Sequence, residues 1–103
     1  MQPSQTSVTI YEVKEQLKKD PAGIVLIDVR SKEEYDAQHI PAAKNISSDA
    51  LPEHVNDEEL KGKTIVTICN HGNTRSQNTA KLLRDHGLEN SFYLEGGTAG
   101  WFE

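Results

Sequence analysis

Two short runs of apolar, largely β-branched residues, IVLIDV at 24–29 and TIVTI at Thr64–Ile68, constrain the fold of this chain more than any other feature. Five of the six residues in the first run are apolar, so it lacks the polar alternation of a strand with one wet face and must be covered on both sides. Strands of that kind sit at the centre of parallel sheets, which need helical crossovers. The flanking sequence supplies them. Thr9 and Glu12 have the form of a capping box, which predicts a helix over Ile10–Lys19 with Val13 and Leu17 one turn apart. Ser31 and Glu34 repeat the arrangement and predict a short helix over 32–38, broken at His39, Ile40 and Pro41. A short strand is expected at 43–46, helical turns at Leu51–His54 and 57–60, a helix over 76–86 ended by Gly87 as a left-handed cap, and a last strand at Ser91–Leu94. The pattern is that of one α/β domain over residues 1–103: three layers, with a central, mostly parallel sheet and helices on both faces.

Composition narrows the function. A chain of 103 residues closes one core, and no apolar run approaches the roughly 18 residues of a membrane span. The net charge of −5, with no basic cluster to offset it, argues against nucleic acid as a partner. The start MQPSQTSVTI lacks the basic and apolar regions of a secretory signal, which points to the cytoplasm. One cysteine makes no internal disulfide, and Cys69 with His39, His54, His71 and His86 lacks the spacing of zinc ligands. No metal and no cofactor are expected.

The lone thiol lies where the second buried strand ends, in TIVTICNHGNTRSQNTAKLL. Ligands of open α/β sheets collect beyond the carboxyl ends of the strands, at helix N-termini. A loop of Asn70, His71, Gly72, Asn73 and Thr74, leading to a helix that starts near Arg75 or Ser76, would aim backbone N–H groups and a helix dipole at an anion and at the sulfur itself. Thiols so placed have pKa values drawn from about 8.5 into roughly the 3.5–7.5 range, which makes the nucleophilic thiolate abundant. Gly72 suits a backbone that curls tightly, and Arg75 adds planar donors for an oxyanion. A cysteine that merely fills a core would sit more naturally within TIVTI than at its polar exit.

At this point the chain resembles the rhodanese homology domain, in three stretches: VLIDVRSKEEYDAQHIPAAKNI, the strand with its CNHGN loop, and YLEGGTAGW. The resemblance implies a five-stranded parallel sheet flanked by helices. It also implies a sulfurtransferase in which Cys69 carries a sulfane sulfur as a persulfide, cradled by the amides of residues 70–75. The donor would be a small anion such as thiosulfate or a protein persulfide. The acceptor would be cyanide or a thiol, such as that of a thioredoxin-like protein. Two departures stand out. Many family members read CxxGxR, whereas here Thr74 takes the arginine's place and Arg75 follows, which predicts a loop longer by one residue. Ala37, Gln38 and Ala42 stand where glycines often flank the His-Ile-Pro element. CNHGNTRS also satisfies CxxGxxR[ST], the pattern of cysteine phosphatases and of some arsenate reductases, so oxyanion chemistry is the second reading. A non-catalytic binding module is the third. Asp28 and Arg30 are expected to border the crevice; the structural reading has Asp28 accept from nearby backbone or cap a turn and Arg30 pair with Glu33 or Glu34, and the functional reading has Arg30 add positive potential at the mouth. His39 is expected to fasten a turn, and Trp101 to anchor packing.

Overall fold

The computed structural model describes residues 5–103. Five strands form one sheet: β1 (Ser7–Val8), β2 (Ile24–Asp28), β3 (Lys44–Asn45), β4 (Thr64–Ile68) and β5 (Ser91–Leu94). Their order across the sheet is β1-β5-β4-β2-β3, and every neighbouring pair is parallel. The two β-branched runs, β2 and β4, pair along five residues each, from Ile24 against Thr64 to Asp28 against Ile68. Four α-helices cover the sheet: α1 (Ile10–Lys19), α2 (Lys32–Ala37), α3 (Thr74–Asp85) and α4 (Gly97–Trp101). Both capping boxes form in full, Thr9 with Glu12 and Ser31 with Glu34. Leu51–His54 and Glu58–Leu60 are 3-10 turns.

The strand period of two explains where the core divides. Ile24, Leu26, Val66, Ile68, Phe92 and Leu94 pack with Val8 and Val13 on the α1 side, where Trp101 joins them. Ile27, Val29, Ile65, Cys69 and Leu83 pack on the other side, with Leu51, Val55 and Leu60. Because Ile65, Thr67 and Cys69 alternate with Val66 and Ile68, the thiol emerges on the face covered by α3.

Three differences from expectation have local causes. Strand β1 pairs only Ser7 and Val8 with β5, too short a run to leave a periodic signal. Helix α3 starts at Thr74, with Asn73 as its N-cap residue, so Thr74 and Arg75 belong to its first turn rather than to the loop. Helix α4 opens on two glycines, its N-cap Gly96 and its first residue Gly97, both with positive φ. Gly87, at φ 92°, ends α3 with the Leu88 amide returning to Leu83 O at 3.0 Å, as a left-handed cap requires.

Ala42 is the one described non-glycine residue in the left-handed region, at φ 74°. It is the third residue of a turn that starts at Ile40 and closes with the Ala43 amide on Ile40 O at 3.0 Å. A turn with proline second and positive φ third is of type II and favours glycine at that third place. The turn feeds β3. It is held by the Tyr35 hydroxyl, which donates to Ala43 O at 2.5 Å, and by His39, whose ring stacks on Tyr35 with centroids 3.8 Å apart and whose Nδ1 lies 2.8 Å from Tyr35 O.

Candidate active site

Cys69 lies one residue past the end of β4, at the carboxyl edge of the sheet. Its side chain has no solvent-exposed surface. The surroundings of the sulfur are nevertheless polar. The Asn73 amide donates to Sγ at 3.2 Å, the Ser76 hydroxyl lies 3.0 Å from it, and Asn73 Oδ1 lies 3.2 Å from it on the outer side. Burial pushes the thiol pKa up. The Ser76 hydroxyl, with the amides of Ser76, Asn73 and His71, outweighs it, so the net shift is downward. Each of these groups donates to the ionised form and none can donate so well to the neutral one. Two of the six amides expected between residues 70 and 75, those of His71 and Asn73, are among these donors, and the Ser76 amide joins them from the first turn of α3.

Ser76 is the functional residue that the sequence reading passed over. Its hydroxyl carries one proton and has two acceptors in reach, Cys69 Sγ and Asn73 O at 3.1 Å. It can therefore donate to the backbone while the thiol is protonated and turn to the sulfur when the thiol ionises. Ser76 stays in place because two buried hydroxyls donate to its carbonyl oxygen: Thr67 Oγ1 from β4 at 2.8 Å and Thr79 Oγ1 at 3.1 Å. The signal for Ser76 was its place as the closing [ST] of the CxxGxxR[ST] pattern, seven residues after the cysteine.

The loop keeps its shape through its carbonyls. Cys69 O accepts from the Thr98 amide and Asn70 O from the Ala99 amide, both at 2.9 Å. The first turn of α4 thereby draws these carbonyls to itself, and the N–H of His71, opposite the Asn70 carbonyl in the same peptide, is left facing the sulfur. Glycines permit the close approach. A Cβ on Gly97 would stand 2.5 Å from Cys69 O, and one on Gly72, at φ 77°, would stand 2.6 Å from Leu94 O. Gly72 therefore serves contact with the end of β5 as well as loop curvature.

Asp28 and Arg30 do not form an open rim. Asp28 is wholly buried and Arg30 is 5 % exposed. Arg30 Nη2 and Asp28 Oδ2 are 2.8 Å apart, and Nε meets both carboxylate oxygens. The partner is Asp28 rather than Glu33 or Glu34 because both emerge at the end of one strand, two residues apart. A fork-to-fork geometry satisfies two buried charges at once. Arg30 also donates to Gln38 O at 2.6 Å and to Asn70 Oδ1 at 3.1 Å, tying α2 and the cysteine loop together. Asp28 holds Arg30 protonated, with Glu34 and the Cys69 thiolate adding smaller attractions. Asn45 of β3 supports the pair from behind, donating to Asp28 O and Arg30 O at 3.0 Å each.

Arg75, expected to face an anion in the loop, instead meets Glu34, with Nη1 3.3 Å from Oε1. Glu34 also accepts from Asn70 Nδ2 at 3.0 Å and from the Ser31 amide at 3.1 Å. Arg75 first, then Asn70 and Ser31, hold its carboxyl down at about 2. His71 and Thr74 are exposed. The structure thus gathers Cys69, Asn73 and Ser76 around the sulfur, places Asn70, Asp28 and Arg30 behind the loop, and leaves His71, Thr74 and Arg75 on its outer side. Among the described residues, no helix is long and apolar enough to cross a membrane.

Both the sequence and the fold are similar to those of known proteins. The family model for the rhodanese-like domain matches residues 9–103. The chain is 32 % identical to thiosulfate sulfurtransferase GlpE of Pseudomonas entomophila, over 77 % of its own length and 71 % of that protein. It is 35 % identical to the Synechocystis protein slr1261 over 95 % of its length, and it spans 54 % of that longer chain. The fold superimposes on the human single-domain sulfurtransferase TSTD1 with a TM-score of 0.84 at 25 % identity, covering 96 % of both chains.

Proposed function

The chain belongs to the rhodanese-like domain family, and we propose that it is a sulfurtransferase that carries a sulfane sulfur on Cys69. The observation that carries this reading is the convergence on one sulfur of the Ser76 hydroxyl and the amides of His71, Asn73 and Ser76, all favouring its anionic form. The names of its relatives, thiosulfate sulfurtransferases among them, support the same class.

In the first half-reaction the Cys69 thiolate attacks the outer sulfur of thiosulfate. A new sulfur–sulfur bond forms to Cys69, the bond to the sulfonate sulfur breaks, and sulfite leaves with the electron pair. The charge formerly on the thiolate now sits on the outer sulfur of the persulfide, where loop amides can receive it. In the second half-reaction a thiolate acceptor attacks that outer sulfur, takes it as its own persulfide, and returns Cys69 as thiolate. A protein persulfide can replace thiosulfate as donor, cyanide can replace the thiol, and a thioredoxin-like protein suits the acceptor role. A reducing cytoplasm would keep Cys69 free for the cycle.

The oxyanion reading requires Arg75 to grip a tetrahedral anion. Glu34 engages that guanidinium and neutralises it, which favours sulfur transfer. The test is mass spectrometry of the intact protein after thiosulfate treatment and removal of excess donor. One added sulfur atom on Cys69, absent from Cys69→Ser, is the expected result. Phosphatase turnover without any sulfur addition would reverse the assignment.

A further inference from the structure

Cys69 has no exposed surface, so in this conformation no donor can touch it. Most of the groups that enclose it are fixed. The carbonyls of Cys69 and Asn70 are tied to α4, Gly72 lies against the backbone of Leu94 and Gly96, and Ser76 is pinned through its carbonyl by Thr67 and Thr79. The side chain of Asn73 is different. It belongs to an exposed residue, yet its Oδ1 reaches inward to 3.2 Å from Sγ.

Asn73 also occupies a position it does not use. It is the N-cap residue of α3, and asparagine is among the best side chains there because its oxygen accepts a first-turn amide. Here no side-chain capping bond forms. The Ser76 amide, the third of the helix, is directed at the cysteine sulfur instead. The sulfur caps the helix, and the carboxamide covers the sulfur.

We propose that Asn73 is the gate that decides which sulfur donors reach Cys69. Its carboxamide covers the thiol in the resting state and swings outward to the first-turn amides of α3 when the sulfur is ionised or loaded. The inference rests on the sulfurtransferase reading for its biological meaning, though not for its test. While the sulfur is protonated, S–H can donate to Oδ1 and hold the cover shut. Once the proton leaves, the same oxygen faces a negative charge at van der Waals distance and is repelled. The charged groups around the sulfur do not reverse this. Arg30 from the end of β2 is held by Asp28, Glu34 of α2 and Arg75 of α3 bind each other, His71 is exposed on the loop, and Glu95 after β5 accepts from Ser7. Opening by rotation of one side chain gives a narrow passage. Slim donors such as thiosulfate or the end of a persulfide chain can use it, and bulky electrophiles are held back.

The test compares alkylation of the wild type, Asn73→Ala and Asn73→Asp by iodoacetamide and by the bulkier N-ethylmaleimide across pH. Rates are normalised to the thiolate fraction, and folding of each variant is checked by circular dichroism. Because the cover already stands open on the thiolate, the normalised iodoacetamide rate of Asn73→Ala should stay within about 2-fold of wild type, whereas the maleimide, which must still displace the outward carboxamide from its capping bond, should react about 3- to 10-fold faster. Its thiol midpoint should fall, because an acceptor for the neutral form is gone, while Asn73→Asp should raise the midpoint by placing a carboxylate at the sulfur. An unchanged normalised maleimide rate, or a thiol midpoint that does not fall, in Asn73→Ala overturns the gate. Because no sulfur donor is involved, a wild type that never forms a persulfide would refute the sulfurtransferase reading and leave this result standing.

Discussion

Glu34 and Arg75 pair on the outer side of the cysteine loop, with Oε1 and Nη1 3.3 Å apart, although 41 residues separate them. The carboxylate that closes the capping box of α2 is therefore also the counter-ion of the arginine in the first turn of α3. Its pKa, lowered from 4.5 to about 2, fixes a pH window. A depressed carboxylate contributes stability in full above its unfolded value and loses it as pH falls through its folded value. The wild type should exceed Glu34→Gln in urea stability by about 0.2–1 kcal/mol near neutrality, since the pair is half-exposed. The two midpoints should converge between pH 4.5 and about 2.

Ser76→Ala should raise the thiol midpoint and lower the thiolate fraction at neutral pH. Burial opposes ionisation at this site and the Ser76 hydroxyl is the largest of the groups that overcome it. Iodoacetamide rates against pH measure this directly. Thr67→Val should shift the same profile in the same direction by a smaller amount, because it frees the Ser76 carbonyl without removing the hydroxyl that faces sulfur.

Ala42→Gly should stabilise the fold. A side chain in the left-handed region costs about 1–2 kcal/mol, partly offset by the greater freedom of glycine in the unfolded chain. A net gain of roughly 1 kcal/mol corresponds to a rise of about 4–8 °C in Tm for a domain of this size. Thermal denaturation followed by circular dichroism would show it, and an unchanged or lower Tm would refute the assignment of strain to this turn.

Gly97→Ala should damage the site more than the fold. The new Cβ would stand 2.5 Å from Cys69 O and 2.6 Å from the carbonyl of Asn70, at a backbone φ of 59° that side chains avoid. The loop must shift, and with it the amides that face the sulfur. A loss of roughly 1–3 kcal/mol is expected. It should come with a raised thiol midpoint and sulfur transfer reduced at least about 100-fold, the scale on which misplacement near 1 Å acts. Assays and melts on the same preparation separate the two effects.

The parts of this fold that were legible in the sequence are those with a one-dimensional signature. β2 and β4 announce themselves by unbroken β-branched runs, and α1 and α2 by reciprocal Thr9–Glu12 and Ser31–Glu34 pairs. The parts that were not are those where one backbone supports another. β1 has only Ser7 and Val8 to offer, and its existence depends on the register of β5. Helix α3 begins at Thr74, ahead of the expected Arg75 or Ser76: Asn73 is a good N-cap by residue type, but no Glu or Gln three residues on completes a capping box, and the sulfur takes the capping role. Cys69 was readable from its place at a strand exit. Its counter-groups were not: Arg75, the nearer in sequence, pairs with Glu34, and Arg30, behind the loop, adds a small attraction to the thiolate. The sequence distance of 41 residues between Glu34 and Arg75 leaves no local trace of their pairing.

The contact of α4 with the cysteine loop makes a helix of five residues a support for the acidity of the thiol. The carbonyls of Cys69 and Asn70 are held by the Thr98 and Ala99 amides, so fraying of residues 97–101 would free the loop whose amides face the sulfur. The chemistry of Cys69 thereby depends on an element that supplies none of its reacting atoms.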